Sequence, residues 1–497
     1  MITEGANGNA RVLFIEPKAP DCHIFSLYPL PRLGPVILGT MLQSEGFDVE
    51  VLFEQIEPVE AERINSADVV GITTTTSTAP RAYAYADLAR GLGKPVVIGG
   101  PHATYAPREA LAHADCVVLG EAEQVAPELF RRLAMRAPID DIPGVATAES
   151  ASLAHAPRPS SLDDLPIPNL GLVRGYDLKR RILHFSIAPV QASRGCPHDC
   201  SFCSVTGMFG HRFRFRSVEH VMEELRLHYR RKRSVFFYDD NLAANTRWFT
   251  ELLERMATGL PGLTWSAQVR IEVARDAALL SLMRRAGCIT VFVGIESVNP
   301  ETLHAMNKHQ SADEIKDAMA QFRRHRIPVH GMFVLGMDTD TPGSIRSTVS
   351  WAKHAGVTSA QFLIVTPFPG TRIYEELEQQ GRILFTDWSL YDGHHVTFQP
   401  ARMTPAELQT LQLEAHDSFY SRRRAFARVL SCNVQAAGIF LYARGLQRTW
   451  RKRNRIFRDL LTLMQRSDGM IRRVQFEHPA KQVDVTRGQV GRTRVQA

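Results

Sequence analysis

Two blocks of alternating strand-like and helix-like sequence, separated by a proline-rich interval, leave this chain few folds to choose from. In the first block RVLFIE, DVEVLF, DVVGIT, PVVIGG and DCVVLG recur between Arg11 and about Leu133, each followed by a stretch long enough for a helix. In the second, PVQAS, SVFFYDD, TWSAQV, ITVFVGIES, PVHGMFVLG and SAQFLIV alternate with stretches such as VEHVMEELRLHY and DEIKDAMAQFRRH. Continuous Val, Ile and Leu runs suit strands covered on both faces by helices, so each block reads as βαβ units on a parallel sheet. Five strands fit a flavodoxin-like, Rossmann-type domain over residues 11–148. Six β/α repeats over 185–400 fit a partial (β/α)6 barrel, smaller than the eight-unit TIM barrel of roughly 250 residues.

The remaining segments follow from composition. Residues 149–184, with Pro157, Pro159, Pro166 and Pro168, read as a linker; 1–10 and 481–497 read as tails. Residues 401–480 read as a helical, basic region. From Arg422 to Arg473 there are fourteen basic residues against Asp459 and Asp468, more than the whole chain's net charge of +7. No stretch reaches the roughly 18 uninterrupted apolar residues of a membrane span, and MITEGANGNARVLFIEP carries no secretion signal, so the cytoplasm is the expected location. The seven cysteines are an odd number, and Cys22, Cys116, Cys288 and Cys432 stand alone. A disulfide framework is disfavoured.

Open α/β sheets take ligands beyond the carboxyl ends of their strands. In the first block those ends are Thr73-Thr74-Thr75-Thr76-Ser77-Thr78, Gly99-Gly100-Pro101-His102 and Gly120-Glu121-Ala122-Glu123. They form a small, hydroxyl-rich rim that glycines open to close approach. Ordinary turns would look similar. The absence of G-x-G-x-x-G after the first strand disfavours a nicotinamide or flavin cofactor.

In the second block Cys196, Cys200 and Cys203 stand as C-x3-C-x2-C directly after the first barrel strand, where barrels keep their chemistry. A structural zinc wants four protein ligands, and the chain lacks a second C-x2-C pair. A [4Fe–4S] cluster is held by thiolates and normally takes four; three leave one iron open. Structural zinc, or reduced thiols in a loop, is the alternative.

C-x3-C-x2-C with Phe202 before the last cysteine, on a β/α framework, resembles the radical S-adenosylmethionine (SAM) superfamily. The resemblance implies that the open iron chelates SAM, whose reductive cleavage yields a hydrogen-abstracting 5'-deoxyadenosyl radical. It further implies SAM contacts from Phe202, Asp239, Asp240, Arg270, Glu296, Gly331, Val365 and Thr366. Arg214 and Arg216 of FRFR resemble a basic motif that follows the cluster loop in relatives. The flavodoxin-like block before the barrel, with GGPHAT and VVLGEAE, resembles the cobalamin-binding class of that superfamily. Thr74, Thr75, Thr76, Gly99, Gly100, Pro101, His102, Gly120 and Glu121 would then border the corrin. Asp21-Cys22-His23 departs from the D-x-H-x-x-G pattern, since Ser26 stands where glycine is required, so no histidine ligand to cobalt is expected from it.

The resemblance implies C-methylation of a small-molecule or lipid-like substrate, with an external electron donor of the flavodoxin or ferredoxin type. A ring-forming enzyme similar to the anaerobic Mg-protoporphyrin ester cyclase, and a carrier without catalysis, are the alternatives. No protein catalytic base is assigned, because cluster, SAM and cobalamin carry the chemistry. Asp387, Trp388, Tyr391, His394 and His395 mark either a loop over the substrate or a packed connector. The basic C-terminal helices, with Phe440, Trp450 and Phe457 among their arginines, suggest either peripheral contact with the inner membrane or a helical cap. Nucleic acid is disfavoured, as no base-stacking module is visible.

Overall fold

The computed structural model describes residues 10–21, 30–150, 153–176, 187–430 and 434–466. The expected tails, residue 10 apart, and the Cys22 and Cys432 positions lie outside them.

The first sheet holds β1 (Arg11–Glu16), β2 (Asp48–Phe53), β3 (Val69–Thr73), β4 (Val96–Gly99), β5 (Cys116–Val118) and β6 (Val145–Ala146), in the order 2-1-3-4-5-6. The first five are parallel, in the flavodoxin-like order, and β6 adds antiparallel to β5. Residues alternate between two cores. Val12 and Phe14 face the helices Leu33–Ser44 and Ala126–Ala134, whereas Leu13 and Ile15 face Ala79–Gly91. Gly71 has a packing reason: a Cβ there would lie 2.6 Å from the Phe14 ring, which stacks obliquely on Phe130.

The interval expected to be a linker packs onto this domain where it is described. Ala156, Leu170, Leu172, Val173 and Tyr176 join the core of Val12 and Phe14. The Ala156 amide donates to the Leu119 carbonyl at 2.8 Å, and Val173 bridges to Val51.

The second sheet is a curved parallel array of β7 (Ile187–Val190), β10 (Ser234–Phe237), β11 (Trp265–Val269), β12 (Cys288–Glu296), β13 (Val329–Leu335) and β14 (Ser359–Ile364), neighbours in that order. Between β7 and β10 a small antiparallel hairpin pairs β8 (Ser193–Arg194) with β9 (Arg214–Phe215) and brackets the cysteine loop. Alternation again sorts the side chains. Val291, Val293, Phe333 and Phe362 are buried against helices, whereas Phe236, Gln268, Phe292, Met332, Val334 and Leu363 are only half-buried on the lumen face.

Helix Pro405–Phe419 covers β14, entered through a Thr404/Glu407 capping box, and the Tyr420 hydroxyl donates to the Ala360 carbonyl at 2.5 Å. Helices Arg422–Leu430, Val434–Arg453 and Arg455–Arg466 follow. Phe440, Phe457 and Leu461 enter the barrel core, so these helices are in part a cap. Among the described residues no helix is long and apolar enough to cross a membrane.

Candidate functional site

The cysteine loop starts at Gly195, whose φ of +92° and contact with the Arg212 carbonyl admit only glycine. The Cys196 amide donates to the Gly210 carbonyl at 3.1 Å and the Cys203 amide to the Cys200 carbonyl at 3.1 Å, curling the three thiols into one turn. Several elements hold the loop from outside. Asn307 and Arg372 donate to the Asp199 carbonyl at 2.9 and 3.0 Å, and the Ser201 amide reaches the Met306 carbonyl. From the first domain, the Tyr105 hydroxyl donates to the Ser204 carbonyl at 2.6 Å.

All three thiols are half-buried and free of disulfides; Cys116 and Cys288 are fully buried in the two cores. Burial raises each of the three, and the charges of Asp240 and the other two thiols help push Cys203 up to about 12 against the Val205 amide. Three thiolates withdrawn from water on one loop are thus unfavourable alone and favourable around a cationic centre. This donor set fits an iron–sulfur cluster with one iron left open.

The expected SAM residues divide. Asp240 stands next to Asp239 at the end of β10. It is exposed by surface area yet recessed in the barrel mouth, where loss of surrounding water raises its carboxyl to about 6. Asp239 is buried and accepts from the Ser193 hydroxyl at 2.5 Å and the Ala192 amide at 3.1 Å, fixing the hairpin to the barrel. Two such carboxyls are suited to a cation, as the ammonium of SAM would be. Glu296 closes β12 with φ +60° and is paired to Lys308 at 2.8 Å. Arg270 is held by Glu272 at 2.9 Å. Phe202 packs on the barrel core, and Val365 and Thr366 are buried just past β14. At Gly331 a Cβ would meet Val357, Ile295 and Phe333, so a side chain there would point to the helix side. The lumen-side glycine is Gly294, where a Cβ would lie 2.5 Å from Glu296 Oε1 and 2.9 Å from Lys308 Nζ. Neither Lys308 nor Gly294 carried a sequence signal.

Burial raises Asp239 to about 7, opposed by its hydrogen bonds from Ser193 and Ala192 and reinforced by the Asp240 charge. A folded-state value above the ordinary 3.8 means that the folded chain keeps this proton longer than the unfolded chain. Stability from this carboxyl is therefore complete below about 4 and declines as pH rises through about 7. In the ligand-free protein, D239N should flatten the urea midpoint against pH over that window; an unchanged slope would refute the burial account.

At the first-domain rim, the Thr74 amide donates to the Gly99 carbonyl at 2.8 Å, and its hydroxyl accepts from the Ala103 amide. Thr75 and Thr78 cap each other, and Thr76 is buried. Gly100, with φ +96°, brings this loop against the Thr74 carbonyl, and Pro101 starts the helix Pro101–Tyr105. A Cβ on Gly99 would enter open space. His102 is buried with neither ring nitrogen hydrogen-bonded; its Nε2 lies 3.7 Å from Glu109, and Trp388 of the barrel meets it edge-on. The Gly120 amide donates to the Thr104 hydroxyl. An open glycine edge beside an unsatisfied buried imidazole fits a flat ligand with polar edges, as a corrin is.

The Glu121 carboxylate is taken by Arg194 at 2.7 Å and by Arg214, with Arg158 at 3.5 Å, and Arg194 also holds Glu123 at 2.7 Å. It joins the rim to the β8–β9 hairpin. Arg216, likewise, is buried with Glu224. In the DWSLYDGHH segment, Tyr391 donates to the Phe385 carbonyl, Asp387 caps Ser389, and His395 lies between Asp392 and Asn454. The packed-connector reading holds for them; Trp388 reaches the rim and donates to Glu109 at 2.8 Å.

Comparison with known proteins agrees with this geometry. Residues 190–352 match the Radical SAM superfamily and residues 26–130 the B12 binding domain. Bacteriochlorophyllide d C-12(1)-methyltransferase of Chlorobaculum tepidum is 30% identical over 396 residues, covering 79% of this chain and 83% of that protein. The anaerobic magnesium-protoporphyrin IX monomethyl ester cyclase of Cereibacter sphaeroides is 28% identical over 374 residues, covering 71% and 60%. Among solved structures, the radical SAM methyltransferase TsrM of Kitasatospora setae, with cobalamin and a [4Fe–4S] cluster bound, superposes with a TM-score of 0.63 over 75% of each chain at 18% identity. With the thiol trio, the rim and these relatives in agreement, the chain belongs to the cobalamin-binding class of the radical SAM superfamily.

Proposed function

We propose that this protein methylates an unactivated carbon of a small, largely apolar molecule. When bound, the cluster supplies an electron, SAM the methyl group and the means of hydrogen abstraction, and cobalamin a methyl carrier. The observation that carries the reading is the single interface joining the thiol loop to the corrin-type rim, together with the similarity to a bacteriochlorophyllide methyltransferase. Cys196, Cys200 and Cys203 hold the cluster, and Asp240 receives the cationic end of SAM. Phe236, Phe292, Met332, Val334 and Leu363 give the lumen an apolar wall that excludes water, with Gln268 and Gln361 as polar handles for orientation. No side chain is needed to take a proton from the substrate carbon.

Product analysis tests this. After anaerobic loading with iron, sulfide and cobalamin, a strong reductant, SAM and substrate should give S-adenosylhomocysteine and 5'-deoxyadenosine together. The deoxyadenosine alone would favour ring formation of the cyclase type, and intact SAM a carrier. A flavodoxin or ferredoxin in place of the chemical reductant should support the same products.

A lipid-like substrate is favoured by the C-terminal helices. Phe426, Leu430, Leu441, Ile456 and Leu463 are exposed there among Arg422, Arg423, Arg448, Lys452 and Arg458. Exposed apolar side chains interleaved with arginine suit an anionic bilayer surface. Phosphatidylglycerol vesicles should retain the protein in a salt-sensitive manner, and F426S/L430S should release it; equal retention by phosphatidylcholine vesicles would refute this contact.

A further inference from the structure

One side chain of the rim helix reaches directly into the thiol loop. Helix Pro101–Tyr105 follows Gly100, carries His102 in its first turn and ends at Tyr105. The Tyr105 hydroxyl donates at 2.6 Å to the carbonyl of Ser204, the residue directly after Cys203. Its ring fills a socket in the other domain: a Cβ on Gly207 would collide with the phenol oxygen, and one on Gly370 with the ring edge. Gly370, with φ +78°, would be glycine in any case. Gly207 is different. It sits inside the helix Val205–Phe209 without a positive φ, so its backbone makes no demand for glycine. What excludes a side chain there is Tyr105.

We infer that Tyr105 is a positioning residue that sets the cysteine loop, and through it the cluster, at a fixed place relative to the corrin rim. One five-residue helix carries both Pro101 and His102 of the rim and the hydrogen-bond donor, so displacement of either end is passed to the other. The hydrogen bond falls on the carbonyl of the residue that follows Cys203. Donors and excluded water around its ligands set a cluster's reduction potential and electronic signature. Loss of this donor would leave the Ser204 carbonyl dipole uncompensated one residue from Cys203 and should make a cluster held there harder to reduce. The inference rests on the cofactor assignment above and is testable without turnover.

The test uses the full chain reconstituted anaerobically with iron, sulfide and hydroxocobalamin. Y105F keeps the ring in its socket and removes only the hydroxyl. It should bind iron and cobalamin as the parent does, while its cluster potential moves to a more negative value and the line shape of the reduced cluster's electron paramagnetic resonance changes. G207A should disturb the same spectrum by unseating the phenol. In the Y105F background, where the colliding oxygen is absent, the added effect of G207A should shrink. That suppression is a signature a merely structural glycine would not give. A parent spectrum and potential in Y105F, or an equal G207A effect in both backgrounds, would overturn the inference. Should Y105F fail to fold, G207A must still lower the iron loaded per chain, and parent loading and spectrum in G207A would overturn the inference as well. A parent protein that takes up no cluster would instead overturn the cofactor assignment.

Discussion

C203A should bind no stable iron–sulfur cluster and release no 5'-deoxyadenosine above the level seen without protein, and C196A and C200A should behave alike. Three thiolates are the whole protein contribution to a cluster whose fourth iron is open, so losing one leaves two irons without protein ligands. The loop itself should survive the change. It is held by the donations of Asn307, Arg372 and Tyr105 and by the Gly195 turn, none of which uses a thiol. Urea unfolding of the cluster-free variant should therefore lie within about 1 kcal/mol of the cluster-free parent. Cys116 and Cys288 provide the contrast. Both are fully buried in hydrophobic cores, so alanine there should cost about 1 kcal/mol or more of stability while leaving the iron per chain unchanged. Iron content, visible absorption and deoxyadenosine yield read all of this. Zinc in the parent protein, or an active C203A, would defeat the assignment.

R194M should be the most destabilising single change at the domain interface, by about 3–5 kcal/mol. Arg194 is 5% exposed and bridges Glu121 and Glu123, themselves 3% and 5% exposed. Burial works against its charge, but the two carboxylates prevail and hold the guanidinium more strongly protonated than usual. Methionine fills the volume and leaves Glu123 facing no cation, although Arg214 and Arg158 still attend Glu121. The energetic asymmetry lies in that stranded charge rather than in the lost attraction. Trp388, set against the rim beside His102, offers a fluorescence probe of the interface during urea unfolding. R131M is the control: Arg131 pairs with Glu45 and Glu128 on the surface and should cost under about 1 kcal/mol. Equal effects at the two positions would refute the buried-pair account.

The strands were legible because each is covered on both faces, which writes them as unbroken Val, Ile and Leu runs. β6 was not, since two residues make no run. The interval after Glu149 read as a linker because Ala156, Leu170, Leu172 and Val173 follow no period; they fill a core edge one at a time. Within the site, the thiols were visible from spacing alone. The arginine partners of Glu121 were not legible, because Arg158, Arg194 and Arg214 lie far along the chain and only folding brings them to it. Gly331 rested on the resemblance alone, because β13 is apolar on both faces and alternation sorts its residues without saying which set faces inward. A register shift between Gly294 and Glu296 adds to that ambiguity. Tyr105 was silent: nothing in PHATY announces a hydroxyl that crosses to another domain.

The first domain's core is built almost entirely from residues up to Tyr176, so it can close before Cys196 leaves the ribosome. Tyr105 and Glu121 are then waiting as half of a mould when the nascent thiol loop arrives. A cluster assembled on a loop so moulded should depend on the first domain's maturity, and lesions in that domain should surface as poor iron loading in the other.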